Sequence, residues 1–252
     1  MSTATETGST RVQLCGAFAV ELAGRRVDQL LPGRQGRLLV AYLALSRHQR
    51  VSRELLIAAL WGDAPPPGAG AALNALVSKV RAALGPDVVR GRAELSLVLP
   101  EPAVVDVEVA VASVHAAETA VAVGEWSRAW SSALTAHFVA RRRLLPETDA
   151  PWVESWRRRL TDVHVRALEC YAAVCLELGG PELPGAERAA RELVELAPLR
   201  ETAHLLLMRT LAARGNVAEA LAAYERLRTV LRDELGVSPS RVVQDAHLQL
   251  LG

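Results

Sequence analysis

Ala72-Leu73-Asn74-Ala75-Leu76-Val77-Ser78-Lys79-Val80-Arg81-Ala82-Ala83-Leu84-Gly85 is the stretch whose reading decides the fold. Leu73, Val77, Val80 and Leu84 recur at three- and four-residue intervals, which predicts a helix from about Ala71 to Leu84 with one core-facing stripe. Asn74, Ser78 and Arg81 share the opposite side, with Lys79 at its edge, and Gly85-Pro86 stops the helix. Immediately upstream, Trp61-Gly62-Asp63-Ala64-Pro65-Pro66-Pro67-Gly68 reads as a stiff loop, because neither prolines nor the residues before them favour helix. Trp61 is expected to pack into the core.

Further out, Ser52 is a candidate N-cap for a preceding helix whose apolar face is Leu55, Leu56, Ala59 and Leu60. Gly33-Arg34-Gln35-Gly36 precedes another helical pattern in Leu38, Leu39, Tyr42, Leu43 and Leu45. Period-two apolar positions open the domain: Val12, Leu14, Phe18, Val20 and Leu22, broken by Gly16 and Gly24, with Val27 resuming. Downstream, Val88-Val89, Gly91 and Leu95 to Leu99 predict a hairpin in which Arg90 and Arg92 flank the glycine. The order is a small sheet, three helices and a hairpin.

Charge separates this part from the rest. Arg11 to Leu99 carry twelve Arg or Lys against six Asp or Glu, net +6, whereas Pro100 to Gly252 carry seventeen against twenty-one, net −4. A total of +1 therefore hides a basic module joined to a mildly acidic one, and the basic module is where phosphate would be attracted. Of the 29 basic residues only Lys79 is not Arg, so arginine by itself is undiagnostic here.

Met1 to Thr10 are small and polar without an apolar stretch, which predicts a disordered tail (1–10) rather than a secretion signal. No apolar run is long enough to span a bilayer, and a cytoplasmic protein with no membrane partner is expected. The break at Pro100 and Pro102 suggests domains at 11–100 and 103–252. The second is rich in Ala and Leu and reads as all-helical. Gly124-x4-Ala129, Gly185-x4-Ala190 and Gly215-x4-Ala220 each set a glycine turn before a helix with a small packing residue, and Tyr224 follows Ala220 by four. This resembles the tetratricopeptide pattern, although the copies lie 61 and 30 residues apart.

Sheet, three helices and hairpin resemble the winged helix-turn-helix of OmpR-type response regulators. With a tetratricopeptide-like domain behind it, the layout resembles the Streptomyces antibiotic regulatory protein (SARP) activators. Three stretches carry the match: Leu56-Ile57-Ala58-Ala59-Leu60-Trp61-Gly62-Asp63-Ala64-Pro65-Pro66, the Ala72–Gly85 helix, and Ala220-Leu221-Ala222-Ala223-Tyr224 through Asp233-Glu234-Leu235-Gly236-Val237-Ser238-Pro239-Ser240. The expected fold is mostly α: an N-terminal winged helix-turn-helix (α+β), then an all-α tetratricopeptide-like domain. The resemblance implies a sequence-specific activator that binds double-stranded promoter DNA, recruits RNA polymerase holoenzyme and pairs as a homodimer on a direct repeat. At Leu76, Ala82 and Ala75 the helix departs from the polar, basic or larger residues common in the family. That departure motivates an alternative, a protein-interaction scaffold with a degenerate winged helix and a partner-binding groove in its helical repeats.

The side chains on the Ala71–Leu84 helix suit the activator reading. Asn can pair with adenine through two hydrogen bonds, Ser can bond phosphate or base edges, and Lys and Arg reach guanine or the backbone. Asn74, Ser78, Lys79 and Arg81 are therefore candidate reading residues. Arg90 and Arg92 fit a wing that enters the minor groove, while Arg34, Arg37 and Arg53, near helix starts, are candidate phosphate contacts. Asp63, Pro65, Pro66 and Pro67 form a candidate polymerase-contact loop. Arg141-Arg142-Arg143 and Arg157-Arg158-Arg159 read as solvated faces with a member paired to a nearby Glu. Cys15, Cys170 and Cys175 have no metal or redox spacing and read as buried hydrophobes. Six scattered histidines, and the lack of Gly-x4-Gly-Lys-Ser/Thr, Gly-x-Ser-x-Gly or His-Glu-x-x-His motifs, give no support for an enzyme, a cofactor or a metal.

Overall fold

The computed structural model describes residues 9–252. The expected tail at 1–10 lies outside these except for its last two residues, and of these Thr10 is not tail: it begins the first strand and is 1% exposed. Contacts divide the described chain into two units, one running through Val109 and including Arg142–Leu160, the other Ala110–Arg141 with Thr161–Gly252.

In the first unit β1 (Thr10–Gln13), β2 (Ala19–Leu22) and β3 (Arg25–Arg26) form the small sheet that opens the domain, each strand antiparallel to the one before it. Helix α1 (Gly33–Leu45), strand β4 (Val51–Ser52), α2 (Arg53–Trp61) and α3 (Ala69–Leu84) follow, then β5 (Val89–Arg90), β6 (Glu94–Leu97) and β7 (Ala103–Val105). Strands β4, β6 and β5 make a second antiparallel sheet in that order, with Val51 opposite Leu95 and Val89 opposite Leu97. Strand β7 adds in parallel to β1, so the first sheet runs past the break read at Pro100 and Pro102. Three residues are too few to display a period, which is why the sequence did not announce them.

Leu14, Leu39, Leu43, Leu56, Leu73 and Leu95 are essentially inaccessible and form the heart of this unit. Each contributes roughly 2 kcal/mol by leaving water. The Ser52 hydroxyl accepts from the Leu55 N–H at 3.3 Å, so the predicted N-cap of α2 is present. The apolar face of α2 is narrower than expected: Leu56 and Leu60 are buried, but Leu55 is 56% exposed. Trp61, expected in the core, is half-buried.

Residues 142–160 belong to this unit for identifiable reasons. The Trp152 indole N–H donates to the Ala59 carbonyl at 3.0 Å, and its ring meets Tyr42 edge-on at 5.1 Å between centroids. The Arg157 guanidinium donates to the carbonyls of Leu144, Leu145 and Thr148 at 2.8–3.0 Å and pairs with Glu154. One member of that arginine run is thus paired to a Glu as expected, while its neighbour Arg159 stacks over the Trp156 ring at 4.9 Å.

Helices α4 (Asp106–Ala122), α5 (Trp126–Ala140), α6 (Pro151–Leu178), α7 (Leu183–Leu196), α8 (Glu201–Ala213), α9 (Val217–Leu235) and α10 (Arg241–Leu251) complete the chain. Within the second unit Leu168 of α6, Leu193 of α7, Leu207 and Leu211 of α8, Leu227 of α9 and Val243 of α10 share one core. Against α6 the packing of α4 and α5 is nearly all alanine, for example Ala117 with Ala133 and Ala120 with Ala129, which lets helices approach closely. The signature alanines Ala129, Ala190 and Ala220 are all fully buried. Gly124 and Gly215 are turns with φ of +73° and +81°. Gly185 is not: it lies inside α7, where a Cβ would stand 3.3 Å from the Tyr171 hydroxyl, and the turn falls at Gly179-Gly180 instead. Among the described residues no helix is long and apolar enough to cross a membrane.

Candidate nucleic-acid interface

Helix α3 emerges from the proline loop through Gly68, whose left-handed φ of +70° turns the chain into the helix. Its stripe is buried as read, and Leu76 joins it at 9% exposure. Leu76 is therefore a core residue, and its apolar character needs no loss of function to explain it. Asn74, Ser78 and Lys79 are exposed, as is Ala82, while Arg81 is half-buried.

Two arginines tie the surrounding elements together. From α3, Arg81 donates through Nε to the Val89 carbonyl at 2.8 Å and through Nη2 to the Gly91 carbonyl at 2.7 Å. From the start of α2, Arg53 donates to the Asn74 Oδ1 at 2.5 Å and to the Arg92 carbonyl at 3.0 Å. The β5–β6 hairpin is thus clamped to both helices by charged donors, each such bond contributing about 1.5–3 kcal/mol when it is shielded and less at this half-open surface. The hairpin tip depends on Gly91, at φ +99°, since a Cβ there would lie 1.9 Å from the Glu94 carbonyl oxygen. Arg53, Asn74, Ser78, Arg81 and Arg92 line one cavity of about 310 Å³.

The other sequence-derived residues fall differently. Arg90 is exposed and donates to the Asp87 carbonyl at 3.1 Å. Arg34 and Arg37, exposed in the first turns of α1, line a different cavity of about 520 Å³ together with Phe18, Leu38 and Leu145. Asp63, Pro65 and Pro67 are exposed and Pro66 is half-buried. Sequence reasoning treated Arg53 and Arg81 as free cations. Nothing local to either residue signals its partners, because these are hairpin carbonyls and, for Arg53, the Asn74 amide oxygen on α3.

Electrostatically, Arg53, Lys79, Arg81, Arg90 and Arg92 make no ion pair with the described residues, even though Glu94 shares the hairpin. The surface keeps its positive charge, together with the Ser78 hydroxyl and the Asn74 amide. The Asn74 Oδ1 has a second lone pair beyond the one Arg53 occupies, so the amide can still donate and accept. No cysteine competes as a reactive group: burial pushes the Cys15 thiol up and raises Cys170 and Cys175 to about 11.

Comparison with known proteins follows the same outline. The model of the bacterial transcriptional activator domain matches residues 105–251, more than half the chain. The regulatory protein AfsR of Streptomyces coelicolor is 31% identical over 255 residues, which cover 98% of this chain and 24% of AfsR. The transcriptional regulatory protein MoaR1 of Mycobacterium tuberculosis is 26% identical over 260 residues, covering 98% of this chain and 81% of MoaR1. This chain therefore spans about a quarter of the length of AfsR but most of MoaR1. Among solved structures, Mycobacterium tuberculosis EmbR, determined in complex with a low affinity phosphopeptide, superposes with a TM-score of 0.83 at 25% identity, covering 96% of this chain and 65% of EmbR. The chain belongs to the bacterial transcriptional activator domain family, among the SARP-type regulators.

Proposed function

We propose that this chain is a non-enzymatic activator that binds promoter DNA through α3 and the β5–β6 hairpin and recruits RNA polymerase holoenzyme. The carrying observation is that Arg53, Arg81 and Arg92 line one cavity with Asn74 and Ser78, and that these three, like Lys79 on α3 and Arg90 on β5, have no carboxylate partner among the described residues. Cations that no internal acid neutralises are available to displace counterions from phosphate, and amide and hydroxyl groups between them can reach base edges. The hydrogen bonds of Arg53 and Arg81 support a division of labour. Asn74, Ser78 and Lys79 serve readout, Arg90 and Arg92 serve the backbone or minor groove, and Arg53 and Arg81 hold the wing in register with α3. Arg34 and Arg37, at the other cavity, serve as outlying phosphate contacts. The exposed loop of Asp63, Pro65, Pro66 and Pro67 serves polymerase, and two protomers occupy a direct repeat.

The scaffold alternative, motivated by Leu76, Ala82 and the repeat groove, loses the first of these, since Leu76 belongs to the core. Genome-wide mapping of bound DNA, followed by gel-shift titration of the recovered sites over a range of salt, tests the proposal. Discrete enriched sites and an affinity that falls steeply with salt are expected. Featureless occupancy and salt-insensitive binding would sink it.

A further inference from the structure

Three side chains that the sequence leaves far apart converge in the helical unit. His137 lies near the end of α5, His164 in the middle of α6 and Glu192 near the end of α7. His137 Nδ1 is 3.0 Å from His164 Nε2, and that same Nε2 is 3.3 Å from Glu192 Oε1. All three donor atoms fall within 4.8 Å of one another. No sequence motif announces this, because the ligands come one from each of three helices rather than from one helical turn.

The protein's own hydrogen bonds serve this cluster poorly. An imidazole nitrogen either carries a proton or offers a lone pair, never both. If His164 Nε2 is protonated, its single N–H must be shared between the His137 nitrogen and the Glu192 carboxylate. If it is not, its lone pair accepts from His137 but faces the carboxylate oxygen. A cation satisfies all three atoms at once. We propose that His137 Nδ1, His164 Nε2 and Glu192 Oε1 form a binding site for a divalent transition metal, with Zn²⁺ the best match to two imidazoles and one carboxylate.

Zinc bonds of about 2.0–2.2 Å separate tetrahedral ligand atoms by a little over 3 Å, close to the 3.0 and 3.3 Å spacings about His164 Nε2, and a water would complete the fourth position. Both imidazoles would bind neutral, with their protons on His137 Nε2 and His164 Nδ1, so binding changes tautomers without releasing a proton. Burial favours that neutral form, depressing His137 and bringing His164 down to about 4. The nearby Arg141 cation, stacked at 4.9 Å over Phe138, opposes a second positive charge, and the Glu192 carboxylate offsets it. The consequence of binding is a clasp across α5, α6 and α7.

The test uses the full chain, stripped with chelator and titrated with Zn²⁺ against a chromophoric competitor, with Co²⁺ as a spectroscopic stand-in. One equivalent is expected, with the intense visible bands of four-coordinate Co²⁺. The melting temperature should rise by roughly 5 °C at a hundredfold excess over Kd. His137→Gln and Glu192→Gln alter partly exposed side chains and should fold, as circular dichroism can verify. Each should weaken the metal at least about tenfold. No stoichiometric uptake by the parent chain overturns the proposal, as does uptake with unchanged affinity in both variants.

Discussion

In the helical unit Arg166 meets Glu118 at 2.6 Å, Arg200 meets Glu169 at 2.6 Å, and Arg191 is shared between Glu187 and Glu219 at 2.7–2.8 Å. In the winged-helix unit the arginines around α3 and the hairpin are bonded to carbonyls and to an amide, not to acids. A carboxylate partner cancels the field of an arginine. A carbonyl partner fixes its geometry and leaves its charge intact. The same residue type is thus neutralised at these helical-unit positions and held ready around α3 and the hairpin, although Arg26, Arg47 and Arg157 elsewhere in the first unit do meet carboxylates, and a count of arginines cannot distinguish the two cases. The energetic weight of the paired set is small, since exposed pairs contribute about 0–1 kcal/mol each. Its effect is on where the molecule can attract an anion.

The largest expected effect comes from Arg81→Ala, which removes both bonds from α3 to the hairpin. DNA affinity should fall about ten- to a hundredfold, corresponding to 1.5–3 kcal/mol for the charged hydrogen bonds, on cognate and random duplexes alike. Asn74→Ala should instead cost about 1–3 kcal/mol on the preferred site and little on random DNA. Gel-shift titrations on both duplexes decide between them. If Arg81→Ala hurts only the cognate site, Arg81 reads a base and the division between clamp and reader breaks down.

Replacing Arg90 and Arg92 with Ala probes the charge directly. The dependence of log K on log salt should lose about one to two units of slope, equally for all sequences. Arg191→Ala and Arg200→Ala, whose charges are already matched by carboxylates, should leave the slope where it was. A comparable drop from the helical-unit variants would erase the contrast between the units.

Much of this arrangement was legible in the chain itself. The period of Leu73, Val77, Val80 and Leu84, the Ser52 cap and the glycine-centred hairpin are local signals, and local signals survive folding. Leu76 was misjudged because whether a fifth apolar residue widens a stripe depends on what packs beside it. Gly185 was misjudged because a helical glycine making room for Tyr171 looks, in sequence, like a turn. The bonds of Arg53 and Arg81 and the meeting of His137, His164 and Glu192 depend on elements 8 to 39 and 27 to 28 residues apart, beyond the reach of periodicity.

Stiffness in the loop of Pro65, Pro66 and Pro67 gives a smaller effect, separable from binding. Replacing the three with Gly or Ser raises the ordering entropy that a partner contact must overcome. Transcription from the cognate promoter in a purified system should fall several-fold, on the order of 1 kcal/mol of lost contact free energy, with operator affinity nearly unchanged. Parallel loss of operator binding would show that the loop serves α3 instead.

The smallest effect concerns the neutralised side of the comparison. The Arg166 guanidinium hydrogen-bonded to Glu118 holds that carboxyl below its ordinary range, with His115 adding to the pull. A carboxyl whose pKa is lower in the folded state contributes stability that is fully present above its unfolded value of about 4.3 and is lost as pH falls through the folded value. The pair is 24% and 38% exposed, so solvent screening keeps the contribution under about 1 kcal/mol. Asp162, 3.5 Å from the same guanidinium, would recover part of it if Glu118 were lost. Denaturant titrations of the parent and Glu118→Gln should therefore differ by a few tenths of a kcal/mol at neutral pH and converge as the pH falls through the lowered carboxyl value of the folded state. A gap that persists in acid would mean that Glu118 stabilises through packing rather than charge. In that case the arginines of the helical unit would not owe their neutralisation to pairs of this kind.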